Sequence, residues 1–157
     1  MKSGKENKPA NNIFETAVKE TPEIANAYQQ GLKAFGNYSH KIKLEKQANC
    51  QGSVEIDKAV EKLYPQENRW DYALCYAEKV YFVEIHSADT SEVSVVLKKF
   101  EWLKKWLREK APLIERLKAE QPYFWVQSGH YDILKGSRQS KQIAAAGLRP
   151  IKELKLP

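Results

Sequence analysis

The sequence contains few of the residues that form cross-links, and it has no long apolar run. Its 157 residues include two cysteines, Cys50 and Cys75, which lack CxxC spacing. The sequence therefore indicates neither a secreted disulfide framework nor a structural zinc site. No segment has the roughly 20 apolar residues that a membrane helix needs, and the N-terminus lacks the apolar centre of a signal peptide. We expect a soluble, cytoplasmic protein without membrane contact.

Several common catalytic signatures are also missing. There is no GxGxxG or GxxxxGK[ST] run, so the sequence does not support a glycine-rich phosphate loop. The three histidines, His40, His86 and His130, lack HExxH spacing, and Ser128 is not within a GxSxG turn. A function must therefore be sought in other polar residues.

The residues that are present favour one compact domain. Hydrophobic residues make up 42% of the chain and aromatic residues 11%, which is enough apolar surface for a core and excludes disorder of the whole chain. The net charge of +6 is compatible with a polyanionic partner but does not identify one. We expect a flexible arm over residues 1–12 and a single α/β domain over residues 13–157.

The first half of the chain predicts helix and then strand. Apolar residues recur at helical spacing over residues 21–36, with Thr21 as N-cap and Gly36 as the stop, after a less defined helical turn over residues 13–19. Alternating residues 41–45 and 54–57 are predicted to form a hairpin.

The second half predicts a clearer pattern. The β-prone runs 70–76 and 80–86 are separated by a short connection, which indicates a hairpin. Asp89 and Glu92 have capping-box spacing before a long amphipathic helix. A buried strand at 123–126, a helix from Ser137 to the stop at Gly147 and a tail strand at 151–156 complete the expected order.

Two carboxylates interrupt the apolar strands of the second hairpin. By strand alternation, Asp71 shares a face with Ala73 and Cys75, and Glu84 shares one with His86. A buried carboxylate costs several kcal/mol unless it is paired or binds a cation. Asp71 and Glu84 can therefore converge on a shared proton or a divalent metal.

This pattern, an acid in Arg69-Trp70-Asp71-Tyr72 followed by Glu84-Ile85-His86 on the next strand, resembles the PD-(D/E)XK nuclease superfamily. The resemblance implies a restriction-endonuclease-like αβββαβ core with a mixed central sheet flanked by helices. It also implies metal-dependent hydrolysis of DNA phosphodiesters, as an endonuclease or an exonuclease.

In that reading Asp71, Glu84 and His86 are the catalytic residues, and Asp71 and Glu84 bind Mg²⁺ or Mn²⁺. Asp57 is a further candidate, as a third metal ligand or in place of the first acid of the motif. It is equally well explained as the N-cap of a helix that begins at Lys58. The family's lysine is replaced by His86. A lysine from elsewhere could take its place, and the candidates are Lys41, Lys43, Lys98 and Lys99.

Basic residues near the helices are the candidates for nucleic-acid contact, although each also suits a solvated face. They are Lys98, Lys99, Lys105, Arg138 and Lys141. Two alternatives stay open: a catalytically inactive module of the same fold that binds nucleic acid or a protein, and an interaction protein whose buried carboxylates form structural ion pairs. The oligomeric state is also open, and a homodimer is compatible with the sequence.

Overall fold

The computed structural model of the protein describes residues 12–157. Most of the predicted N-terminal arm therefore lies outside the described residues. Helix α1 spans Ile13–Lys19, and the Asn12 side chain caps it by accepting a hydrogen bond from the Glu15 amide at 2.9 Å. The less defined helical turn predicted at residues 13–19 is thus confirmed.

The long helix predicted over residues 21–36 is wrong. This segment has one 3₁₀ turn at Pro22–Ile24 and a second, kinked 3₁₀ segment at Lys33–Lys41. The Thr21 side chain does not cap the turn that follows it, because its hydroxyl donates to the carbonyl of Ala17 at 2.7 Å. Between the turns, Gln29 forms an antiparallel bridge with Ser53. The backbone groups of Gln29 are therefore bonded to a strand instead of to a helix.

A mixed sheet with strand order β2-β3-β4-β5 forms the centre of the molecule. Its strands are β2 Cys50–Glu55, β3 Tyr72–Tyr76, β4 Lys79–Asp89 and β5 Lys118–Asp132. β3 pairs antiparallel with both β2 and β4, and β5 pairs parallel with β4. The predicted strand at 54–57 ends at Glu55, since Ile56–Val60 forms the short helix α2.

The predicted hairpin of β3 and β4 is confirmed. Tyr76 pairs with Lys79, which leaves Ala77 and Glu78 as a two-residue turn. Both have positive φ, 50° and 67°. This combination is that of a type I′ turn, whose twist matches that of the paired strands.

The parallel crossover from β4 to β5 contains the long helix α3, Val93–Lys110, followed by α4, Pro112–Glu115. The predicted capping box does not form. Asp89 makes no side-chain cap, and a 3₁₀ turn at Thr90–Glu92 precedes α3. Helix α5, Arg138–Ala146, is capped by Ser137 and ends at Gly147 in the left-handed conformation, as predicted.

The first predicted hairpin is also wrong. Strand β1, Ile42–Leu44, pairs in parallel with the tail strand β6, Leu154–Leu156, and not with β2. The alternating pattern identified β1 correctly as a strand. It could not identify a partner more than a hundred residues away.

The sheet separates two apolar clusters. One contains Phe82, the buried face of α3 and Ile143 of α5. The other contains Leu74, Val83 and the β1–β6 pair. Within residues 12–157, no helix is both long and apolar enough to cross a membrane.

Candidate active site

The antiparallel register of β3 and β4 brings two carboxylates together. Tyr72 pairs with Val83, so the next residues, Asp71 and Glu84, lie across from each other on the same face. Both point toward the face that α3 covers. The Glu84 side chain is fully buried, and that of Asp71 is 18% exposed.

Lys99 on α3 lies between these carboxylates. Its Nζ is 3.1 Å from Asp71 Oδ1 and also contacts Glu84 Oε2. The Lys99 side chain is only 13% exposed, so the ammonium group has left bulk water. Of the four lysines considered from sequence, Lys99 is the one that reaches the carboxylates.

Backbone amides bind the other carboxylate oxygens. The Asp71 amide donates to Glu84 Oε1 at 3.1 Å, and the Ile85 amide donates to Asp71 Oδ2 at 3.1 Å. Each side chain therefore fixes the other strand as well as contacting Lys99. All four oxygens of the pair have a hydrogen-bond partner, which offsets much of the cost of burying them.

The site perturbs the proton affinity of its members. Burial, followed by the charge of Glu84, raises the pKa of Asp71 to about 7, although Lys99 acts in the opposite direction. Burial favours a lower pKa for Lys99, but the attraction of Glu84 and Asp71 outweighs it, so that this pKa is raised. Perturbed groups of this kind are enriched at functional sites.

His86 extends the site toward solvent. Its Nδ1 lies 3.1 Å from Glu84 Oε2, and its Nε2 lies 2.7 Å from Glu92 Oε1. The hydrogen bond to Glu84 raises the pKa of His86, burial opposes this, and the bond to Glu92 adds to the increase. With a carboxylate at each ring nitrogen, the imidazole is oriented to donate from both sides.

Glu92 is the site residue that sequence reasoning missed. Its position three residues after Asp89 suggested a capping box, but its carboxylate contacts His86 instead. The available signal was its spacing of six residues from His86 across the end of β4. This spacing alone does not distinguish a partner for His86 from a helix cap.

Asp57 is not the N-cap of the helix that follows, and its other predicted role, as a third metal ligand, stays a prediction. It lies in the first turn of α2, where the N-cap position belongs to Glu55. Its Oδ1 accepts from Arg69 Nε at 2.7 Å. The Asp57 amide bonds to the carbonyl of Asp71 at 3.3 Å, so Asp57 joins the site through its backbone.

The donor set suits a hard cation. Asp71 Oδ1 and Glu84 Oε2 already share a positive group, the Lys99 ammonium, and carboxylate oxygens are the ligands that Mg²⁺ and Mn²⁺ prefer. Within residues 12–157 no group of three or more His, Cys, Asp or Glu residues has the arrangement of a metal site. Mg²⁺ is often held by one or two carboxylates beside phosphate, and an ion held by Asp71 and Glu84 would require Lys99 to move.

The other basic candidates lie on the surface. Lys98 and Lys105 are on the exposed side of α3, and Arg138 and Lys141 are in the first turn of α5. Lys99 differs from them because its charge is directed into the carboxylate pair. The structure therefore separates the five predicted basic residues into one site residue and four exposed ones.

Comparison of the chain with protein-family models, with curated proteins and with solved structures finds no match. The geometry of the site is therefore the basis on which a function is proposed.

Proposed function

We propose that the protein is a metal-dependent nuclease that acts on DNA phosphodiesters. The observation that carries this proposal is the contact of Lys99 with both Asp71 and Glu84 at a partly exposed site. Two acids and a lysine are the charged groups that the PD-(D/E)XK resemblance implies. Here the lysine comes from α3 instead of from the position that His86 occupies.

The order of elements supports the same fold. Helix α1 precedes three antiparallel strands, β2, β3 and β4, and α3 then leads to the parallel strand β5. With β1, which pairs with β6, and the short helices α2 and α4 left aside, this is the αβββαβ order that the resemblance implies. We propose a restriction-endonuclease-like core on this basis.

The residues have distinct roles in the proposed reaction. Asp71 and Glu84 would hold Mg²⁺ or Mn²⁺, which when bound polarises the phosphate and lowers the pKa of a coordinated water. Lys99, displaced from the carboxylates, supplies positive charge to the phosphate oxygens as negative charge builds up. His86 holds Glu84 in place through Nδ1, and Glu92 fixes the His86 ring.

A catalytically inactive DNA-binding module is the second candidate. It is favoured by a specific observation: Lys99, His86 and two backbone amides already satisfy all four carboxylate oxygens. Such a site is electrostatically complete without a metal. The two candidates differ in whether a divalent ion can displace Lys99.

The test measures cleavage of labelled single-stranded and duplex DNA with Mg²⁺ or Mn²⁺. We expect Asp71→Asn and Glu84→Gln to reduce cleavage at least a hundredfold, since each removes a metal ligand. Glu101→Gln is the matched control, because Glu101 is 72% exposed on the same helix as Lys99. Thermal melting confirms that each variant is folded.

Mn²⁺ binding and cleavage by the unaltered chain separate the candidates, and Lys99→Met tests the role of the lysine. In a nuclease this substitution strengthens Mn²⁺ binding, measured by calorimetry, and abolishes cleavage. In an inactive module the unaltered chain binds no Mn²⁺ and cleaves nothing. Cleavage that survives both carboxylate substitutions would contradict the site assignment.

A further inference from the structure

The end of β5 and the segment after it form an exposed ledge beside the site. We use the term strand-end ledge for residues 129–141, which include the end of β5, the connection to α5 and the first turn of α5. Most of its side chains are exposed, with Tyr131 at 45% and Leu134 at 68%. Two of the four large apolar side chains that the described residues expose therefore lie in this short segment, the other two being Tyr38 and Leu63.

The strand register places this ledge on the same face as the carboxylates. In the parallel pair, Glu84 lies beside Trp125, and after a shift in register between His86 and Ala88, in which β5 has two extra residues, Ala88 lies beside Tyr131. Paired residues point to the same side of a sheet. Ala88 belongs to the apolar cluster beneath α3, so Tyr131 emerges on the face where Glu84 lies.

The ledge is also fastened to the segment that carries Glu92. Thr90 Oγ1 donates to the carbonyl of Asp132 at 3.3 Å and accepts from the Leu134 amide at 2.9 Å. Ile133 anchors the ledge in the same cluster as α3 and α5. Movement of the ledge relative to the site is therefore restricted from both sides.

The charges of the ledge favour an anionic partner. Lys135, Arg138 and Lys141 are exposed basic residues, with Asp132 as the acid among them. The distance from Ala88 to Glu84 along β4 is about 13 Å at about 3.3 Å per residue. That distance corresponds to about four stacked nucleotides at about 3.4 Å each.

We propose that the strand-end ledge binds the single-stranded nucleic acid that flanks the scissile phosphodiester, with one base stacked on Tyr131 and phosphates on Lys135, Arg138 and Lys141. An exposed aromatic ring accepts an unstacked base of any sequence, whereas a duplex keeps its bases inside. The position of the ledge relative to catalysis rests on the proposed function, but its binding does not require cleavage. The substrate class is thus DNA with a single-stranded segment.

The test measures binding of a fluorescently labelled single-stranded oligonucleotide by anisotropy, in EDTA so that no cleavage occurs. Tyr131→Ala should raise Kd roughly fivefold to a hundredfold, the usual effect of losing one stacking ring. Tyr131→Phe keeps the ring and should keep most of the affinity. Tyr38→Ala is the matched control, because Tyr38 is also exposed, at 38%, and lies near Tyr72 of the opposite face.

The salt dependence tests the phosphate contacts. Arg138→Ala and Lys141→Ala should each reduce the slope of log Kd against log salt by about 0.7, the value for one single-strand phosphate. Lys43→Ala on β1 should leave the slope unchanged. A Tyr131→Ala variant that binds as Tyr38→Ala does, or a preference for duplex, would overturn the proposal.

Failure of the ledge and failure of the nuclease proposal give different results. If the nuclease proposal alone fails, the oligonucleotide binds through Tyr131 but Mg²⁺ or Mn²⁺ produces no cleavage. If the ledge alone fails, cleavage depends on Asp71 while binding is insensitive to Tyr131.

Discussion

The two faces of the β3–β4 hairpin use neighbouring residues in opposite ways. On one face Asp71 and Glu84 share Lys99. On the other, Tyr72 stacks on Phe35 with ring centroids 4.5 Å apart, and Leu74 and Val83 are fully buried. Burial on the apolar face stabilises each side chain independently of charge, by about 1.5–3 kcal/mol. The charged face also carries buried apolar side chains such as Phe82, but the burial of its two carboxylates is tolerated only while their charges remain paired.

Removal of Lys99 from the charged face should have the largest effect on the free energy of unfolding. Lys99→Met leaves two buried carboxylates without their cation, and we expect a loss of about 3–5 kcal/mol in the free energy of unfolding, measured with urea at neutral pH. The neighbouring Lys98→Ala changes an exposed residue and should stay within about 0.5 kcal/mol. Equal stability of the two variants would show that Lys99 does not compensate the pair.

A cavity on the apolar face should cost a similar amount but without any pH dependence. Leu74→Ala is expected to lower the free energy of unfolding by about 2–5 kcal/mol, since Leu74 is completely buried. The loss should be the same at pH 5 and pH 8, because the lost methyl groups carry no charge and bind no proton. Leu134→Ala, at a residue that is 68% exposed, serves as the control. A strongly pH-dependent loss would contradict the separation of the two faces.

Asp71→Asn should remove a pH dependence that belongs to the charged face. The folded chain raises the pKa of Asp71 from 3.8 to about 7, so it holds a proton that the unfolded chain releases. This contribution to stability is present at pH below about 4 and is lost as the pH rises through about 7. Its slope is at most about 1.4 kcal/mol per pH unit.

The measurement is a series of urea unfolding curves between pH 4 and pH 8. The Asp71→Asn curve should lack the decline that the unaltered chain shows. Glu101→Gln should retain the decline in stability, since the Glu101 side chain is 72% exposed. Parallel profiles for the unaltered chain and Asp71→Asn would be evidence against the raised pKa.

The smallest effect is expected at Glu92. Glu92→Ala removes the contact to His86 Nε2, and we expect a loss of no more than about 1 kcal/mol, because Glu92 is 36% exposed. The pKa of His86 should fall but remain raised, since Glu84 is the stronger cause. NMR titrations of the unaltered chain and of Glu92→Ala measure the pKa of His86 in each. His86→Asn assigns the resonance. An unchanged pKa would mean that Glu92 does not hold the ring in solution.

The sequence was most informative where the determining contacts are local. The β3–β4 hairpin follows from two alternating runs and a two-residue turn, and the same alternation puts Asp71 and Glu84 on one face. The buried stripe of α3 follows from its helical spacing in the same way. Such patterns depend on contacts between residues that are close in the sequence, so a few residues suffice to predict them.

Prediction failed where a distant partner decided the structure. Residues 21–36 have helical spacing, but Tyr28 packs over Gly52 and its hydroxyl donates to the Gln51 carbonyl at 2.6 Å. A side chain at position 52 would overlap the Tyr28 ring, and Gly31 has a positive φ of 52°. Which of the four candidate lysines reaches the carboxylates likewise depends on how α3 crosses the hairpin, and Lys99 is the one that does.

The charged groups of the site come from one short stretch of chain, and this has a consequence for folding. Asp71 directly precedes β3, and Glu84, His86, Glu92 and Lys99 follow on β4, the 3₁₀ turn and α3. Closing this short stretch loses less conformational entropy than pairing β1 with β6, where Ile42 lies beside Leu154, more than a hundred positions later in the chain. We expect the hairpin and α3 to assemble early, with the β1–β6 pair closing later. Amide exchange should then show β1 and β6 opening while the Asp71 and Ile85 amides remain protected.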